Sequence, residues 1–157
     1  MKIVFLDIDG VLNCQTSNSR CGAYIGIDND KVKRLRKIVE TTNARIVLVS
    51  SWRSGWERVY KDDQNELANY LDRKLKRERL YILDKTTDSV WNRGEGIIKW
   101  IGSHKVDEFI ILDDEKFDYA DCGIISRLVK TSFYDDNGGL QDEHVELAID
   151  LLTEQND

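Results

Sequence analysis

Residues 2–13 read KIVFLDIDGVLN, and their order decides the fold. Residues 3–6 form an unbroken apolar run with β-branched and aromatic members, which predicts a strand covered on both faces. The run stops at Asp7, Asp9 and Gly10. Side chains two apart on a strand share a face, so the two aspartates point one way while Ile8 turns into the core. Gly10 then permits a tight departure of the backbone. The same signature recurs at residues 45–49 (RIVLV), followed by Ser50, Ser51, Trp52 and Arg53, and at residues 109–112 (FIIL), followed by Asp113 and Asp114. Weaker strand candidates are residues 80–83 and 128–131.

Between the apolar runs lie helical patterns. In residues 30–39, Val32, Leu35, Ile38 and Val39 keep helical spacing, with Asp28 placed to cap them. Leu67, Tyr70, Leu71 and Leu75 do the same in residues 66–75, as do Ile97, Ile98, Trp100 and Ile101 in residues 96–101. The last pattern, in residues 140–152, carries Asp142 and Glu143 in its first turn, where the helix dipole favours them. Strands alternating with helices predict an α/β fold with a mainly parallel sheet and right-handed crossovers. Residues 10–27 form the longest stretch without periodicity, directly after the first strand.

A length of 157 residues is about one domain's worth, so residues 1–157 are read as a single domain. The net charge of -6 argues against a basic surface that coats nucleic acid. Cys14, Cys21 and Cys122 form no CxxC pair and speak against zinc; free thiols in a reducing compartment are expected. No apolar run approaches the roughly 20 residues of a membrane span, and no signal-peptide core follows Lys2. A cytoplasmic protein without a membrane partner is therefore expected.

Ligands of open α/β sheets bind at the carboxyl ends of the strands, and this chain gathers Asp7, Asp9, Asp113 and Asp114 there. Carboxylates crowded into one crevice repel each other and raise some pKa values, so the set makes sense around a cation. Hard oxygen ligands select Mg²⁺, which commonly keeps waters and takes substrate phosphate. Next to a metal-bound phosphoryl group, one carboxylate can be the nucleophile and a second the general acid and base, with Ser50 and an arginine holding the remaining oxygens.

FLDIDG, VLVSS, a downstream cation and ILDD together resemble the signature motifs of the haloacid dehalogenase (HAD) superfamily of phosphohydrolases. In finer detail FLDIDGVLN, VSSWR, RGEGIIKWI, FIILDDE and LVKTSFYDDNGGL are similar to the HAD domain of Swiss army knife RNA repair proteins, and more distantly to the phosphatase half of phage polynucleotide kinase-phosphatase. The resemblance implies a three-layer Rossmann-like fold without a large cap, with Asp7 as nucleophile, Asp9 as general acid and base, Ser50 as phosphate-binding hydroxyl and Arg93 as third-motif cation in place of the more frequent lysine. Lys99 is the poorer choice for that cation, being well inside the helix. Asp113 and Asp114, with Asp7 and the backbone carbonyl of Asp9, would hold Mg²⁺, and Gly10, Ser51 and Arg53 would border the phosphate.

Capless members of the superfamily tend to take bulky substrates, which favours a nucleic-acid end or a phosphoprotein, and the resemblance to repair proteins favours an RNA or DNA end as the phosphorylated partner. A phosphoprotein, a small metabolite, or a module that binds phosphate or carries phosphoaspartate without turnover are the alternatives. Trp52, Trp56 and Trp91 are expected in the core, with stacking on bases as the other reading. The basic run Arg73, Lys74, Lys76, Arg77 and Arg79 reads equally as a solvated helix side or a backbone track, and Arg53 and Arg58 sit nearer the crevice. His104 and His144 are expected at the surface.

Overall fold

The computed structural model describes residues 1–87 and 91–154. Its centre is β1 (Lys2–Leu6), flanked by two strands that carry the same apolar signature, β4 (Arg45–Leu48) on one side and β6 (Glu108–Asp113) on the other. β5 (Ile82–Lys85) and β7 (Leu128–Lys130) close the edges, giving the order β5-β4-β1-β6-β7 with every pairing parallel. All five strands expected from the sequence form, with ends displaced by a residue or two.

Alternation along β1 explains the layers. Val4 and Leu6 face one core and Ile3 and Phe5 the other, all fully buried, which is why the run contains no polar residue. The first core is covered by α1 (Asn29–Thr42), α2 (Glu66–Lys76) and α4 (Asp142–Thr153), which insert Leu35, Leu71 and Ala148 among others. The opposite face is covered by α3 (Arg93–Gly102) through Ile97 and Trp100, together with Tyr119 and Ile124. Helices thus lie on both sides of the sheet, the three-layer arrangement expected, and no large cap stands among the described residues. No described helix is long and apolar enough to cross a membrane.

Two local departures from the sequence reading have physical causes. α3 begins at Arg93 rather than near Gly96 because its first N–H groups are capped from far along the chain. The Asp118 carboxylate accepts from Gly94 N at 2.6 Å and from Glu95 N at 3.2 Å, while Asn92 supplies no side-chain cap. The stretch 10–27 is not featureless: β2 (Arg20–Cys21) and β3 (Tyr24–Ile25) form an antiparallel hairpin too short to leave a periodic signal. Elsewhere Asp28 occupies the N-cap of α1 without capping it; its carboxylate instead accepts from Lys31 Nζ at 2.9 Å.

Phe5 meets Trp100 and Phe109 edge-on, each at 5.8 Å between ring centroids. Truncation to alanine should cost about 3–5 kcal/mol, a large share of a typical domain's stability. A urea titration of Phe5→Ala checks this; a midpoint near wild type would mean that the second core carries little of the fold.

Candidate active site

The parallel ladders pair Leu6 with Leu48 on one side and with Leu112 on the other. One residue beyond this common level stand Asp7 and Asp113, so the register itself brings two aspartates from distant parts of the chain side by side. The order also reverses at β1, since the chain builds outward to β4 and β5 and then returns to β6 and β7. That is where open α/β sheets leave a crevice at the strand carboxyl ends.

Between the two aspartates sits Arg93. Its Nη1 lies 3.1 Å from Asp7 Oδ1 and 2.8 Å from Asp113 Oδ2, with all three residues buried. The Phe117 ring covers the guanidinium at 4.2 Å, and Phe117 itself adopts a φ of 39°, a left-handed conformation rare for a large side chain. Asp113 is further held by the Tyr119 hydroxyl, which donates at 2.6 Å, and by Glu115 N, which donates at 3.0 Å. Arg93 Nε is itself buried and has no acceptor among the described residues. Lys99 lies exposed on the far part of α3, bordering a different hollow.

Asp9 is exposed and doubly held. Its Oδ1 accepts from Asn13 Nδ2 at 2.9 Å and its Oδ2 from Trp52 Nε1 at 3.0 Å. Asn13 is itself fixed, donating to Gly26 O at 2.9 Å and accepting from Gly10 N at 3.0 Å. Sequence alone gives Asn13 no role and Trp52 only a core or base-stacking one, although both sit inside motifs quoted above. Trp52 and Trp56 are buried as expected, whereas Trp91 is 79% exposed, against expectation.

Gly10 has a φ of 86°, and a Cβ there would collide with the Asp114 carboxylate. Only glycine lets the β1 loop pass beneath that acid. Gly10 is buried and stands outside the residues that line the cavity, where its fit beneath Asp114 is steric. Arg53 is likewise turned inward, donating from Nη1 to Thr86 Oγ1 at 2.7 Å, and is absent from the cavity wall. Ser51 does line it. Ser50 is buried, accepts from Trp52 N at 3.2 Å and gives its own hydroxyl proton to no described acceptor. The basic run at the end of α2 is largely solvated, and Arg58 is exposed. His104 stacks on Trp100 at the surface, whereas His144 is half-buried because its Nδ1 accepts from Gln141 N at 2.9 Å at the start of α4.

A cavity of about 390 Å³ opens above these groups, lined by Asp7, Asp9, Asp114 and Arg93 at its floor and by aromatic side chains around its rim. Burial first, and then the nearby Asp113 charge, push the Asp7 carboxyl well above the usual carboxylate range. The same causes raise Asp114 to about 6. Burial works against the charge on Arg93, but the attraction of Asp7 and Asp113 outweighs it and keeps the guanidinium firmly protonated. One arginine does not neutralise three acids. Asp7, Asp113 and Asp114 each offer an oxygen, all within 4.8 Å of one another, a hard-oxygen set that fits a divalent cation such as Mg²⁺.

A family profile described as the HAD domain in Swiss Army Knife RNA repair proteins matches residues 3–145. The chain belongs to this family. No curated protein and no solved structure matches it. HAD domains form a family of hydrolases and phosphatases that generally uses Mg²⁺, and the acids named above lie in the matched region.

Raised carboxyl pKa values mean that the folded HAD domain keeps protons which the unfolded chain releases. That part of its stability is present at low pH and is lost as pH rises through the range from the ordinary carboxylate value to about 6 and above, where Asp7 and Asp114 must ionise beside Asp113. A bound cation needs the ionised forms and offsets the loss. The gain in Tm on adding Mg²⁺ should therefore be larger at about pH 7.5 than at about pH 5, and Asp114→Asn should flatten the difference. Equal gains at both values, measured by differential scanning fluorimetry, would remove the cation from this cluster.

Proposed function

We propose that this HAD domain is a Mg²⁺-dependent phosphomonoester hydrolase that works through an aspartyl-phosphate on Asp7. The observation that carries the reading is the Asp7–Arg93–Asp113 bridge beneath a cavity that Asp9 and Asp114 also line. Asp7, Asp113, Asp114 and the backbone carbonyl of Asp9 would hold the cation, which when bound neutralises the phosphoryl oxygens against the acidic floor.

The residues of the chain divide the chemistry as follows. A carboxylate oxygen of Asp7 attacks phosphorus, the bond from phosphorus to the leaving oxygen breaks, and protonated Asp9 gives that oxygen its proton. In the second step Asp9 takes a proton from water as the water oxygen bonds to phosphorus. The bond between phosphorus and Asp7 then breaks, releasing inorganic phosphate and restoring both acids. Arg93 has a dual part: its Nη1 keeps Asp7 oriented, and its permanent positive charge beside the cavity floor suits a phosphoryl group. Ser50 and Ser51 supply hydroxyls at the neighbouring strand end. Asn13 and Trp52 are positioning residues, since their donors point Asp9 at the reacting group rather than touching it themselves.

A macromolecular substrate, with a polynucleotide end preferred, is supported by the family's association with RNA repair and by the absence of a large cap among the described residues, which leaves the bulk of the substrate to cover the site. The compartment is proposed to be the cytoplasm.

Phosphate release from an aryl phosphate tests the chemistry. Asp7→Asn should lower kcat by roughly three powers of ten or more, and chelation of Mg²⁺ should do the same. Undiminished turnover in either case would refute the proposal. Trp52→Phe keeps the ring but removes the donor to Asp9, so kcat should fall about tenfold with KM unchanged. A change in KM alone would instead make Trp52 a packing residue.

A further inference from the structure

The cavity has a rim that the chemistry at its floor does not use. Tyr24, in the β2–β3 hairpin, is 65% exposed, and Tyr134, beyond β7, is 74% exposed, yet both line the cavity over Asp7 and Arg93. Phe133 and Phe117 extend the aromatic wall between them and the floor. Large rings left in water gain nothing from burial, and two of them at the mouth of a polar site point to a ligand with an apolar face.

Both tyrosines are mounted on firm backbone. The hairpin pairs Cys21 with Tyr24, Gly26 N donates to Ser19 O at 2.8 Å, and Arg20 Nη1 donates to Ser17 O at 2.7 Å. On the other side Gln15 N donates to Phe133 O at 2.9 Å, the Gln15 side-chain amide donates to Tyr134 O, and the Tyr134 ring stands edge-on to Phe133 at 5.1 Å. Rings set in advance lose little freedom on binding a flat partner.

Charge limits how much of a polymer the site can hold. Arg93 is the one cation among the described residues lining the cavity, against Asp7, Asp9, Asp114 and Glu115, and the whole chain carries a net charge of -6. A long phosphate backbone finds no track of lysines and arginines here, whereas a single end phosphate finds Arg93 and a cation. Trp91 borders an adjoining hollow, but with Glu115, Asp118 and Asp121 as its neighbours that hollow repels phosphate.

We propose that Tyr24 and Tyr134 select the substrate by stacking on the bases of about one or two terminal nucleotides of a phosphorylated single strand, while the rest of the polymer stays in solvent. This rests on the phosphatase reading above and adds the substrate's recognition element. Every nucleotide carries a ring at a fixed reach from its phosphate, whereas a phosphopeptide does so only when the phosphate is on tyrosine.

Two measurements test it. The first is binding of dye-labelled oligonucleotides, phosphorylated at the 3′ or the 5′ end, to the Asp7→Asn protein with Mg²⁺. Tyr24→Ala and Tyr134→Ala should each weaken binding roughly tenfold, the phenylalanine variants should restore it, and Trp91→Ala should change nothing. Short and long oligonucleotides should bind within about a factor of two, with a shallow salt dependence reflecting only one or two phosphates. The second is turnover by otherwise wild-type protein, where the alanine variants should lower the ratio of oligonucleotide to acetyl phosphate hydrolysis, because acetyl phosphate has no ring. Oligonucleotide binding indifferent to both tyrosines, affinity rising steadily with strand length, no oligonucleotide binding at all, or preference for a phosphotyrosyl peptide would each overturn the proposal. If Asp7→Asn hydrolyses the aryl phosphate ester normally, the catalytic reading fails while the binding measurement still decides the stacking; if hydrolysis behaves as expected but the ratio does not move, the reverse holds.

Discussion

Three carboxylates packed at one level of a parallel sheet, with one buried guanidinium between two of them, are the constraint on which the rest of this structure turns. Asp7 and Asp113 are forced together by the in-register pairing of β1 with β6, and Asp114 follows at once. Arg93 lowers the cost of this crowding without removing it. The chain spends much of its local structure on seating that arginine: a helix start capped by Asp118, a glycine at position 94 where a side chain would crowd Asp118 and Cys122, a strained Phe117 over the guanidinium and a tyrosine hydroxyl on Asp113. What the arginine leaves uncompensated is a hard-oxygen cluster that fits a divalent cation.

The same site separates its acids by environment. Asp7, in the cavity floor, and Asp113 are buried and locked to Arg93, while Asp9 stands exposed between an asparagine and a tryptophan donor. Rigid burial suits the nucleophile proposed for Asp7, and access to water suits the proton carrier proposed for Asp9. Ile8, between them in sequence, is fully buried, while both aspartates line the cavity just beyond the end of β1.

Much of this was legible in the chain. The apolar runs, their β-branched content and the acids that end them predicted the sheet, and the helical spacing of Leu35, Leu71 and Ile97 predicted the layers, because each element's burial is recorded in its own period. Trp56 also behaved as its size suggested. Trp91 did not, since a neighbourhood that leaves a ring in water has no local signature. The hairpin at Tyr24 escaped notice because two-residue strands are too short to alternate, and Arg53 reads as a phosphate ligand in sequence although its guanidinium points at Thr86.

By itself, then, the sequence determined which residues end the strands and which chemical types collect there, because strand and helix periods are local properties of consecutive residues. Only the tertiary structure decided that Arg93 bridges Asp7 and Asp113, that Gly10 exists to make room for Asp114, that Trp52 serves Asp9, and that Tyr24 and Tyr134 share one rim. Each of those contacts joins segments far apart in the chain, and their meeting depends on strand order and register, which emerge only when both faces of the sheet are packed.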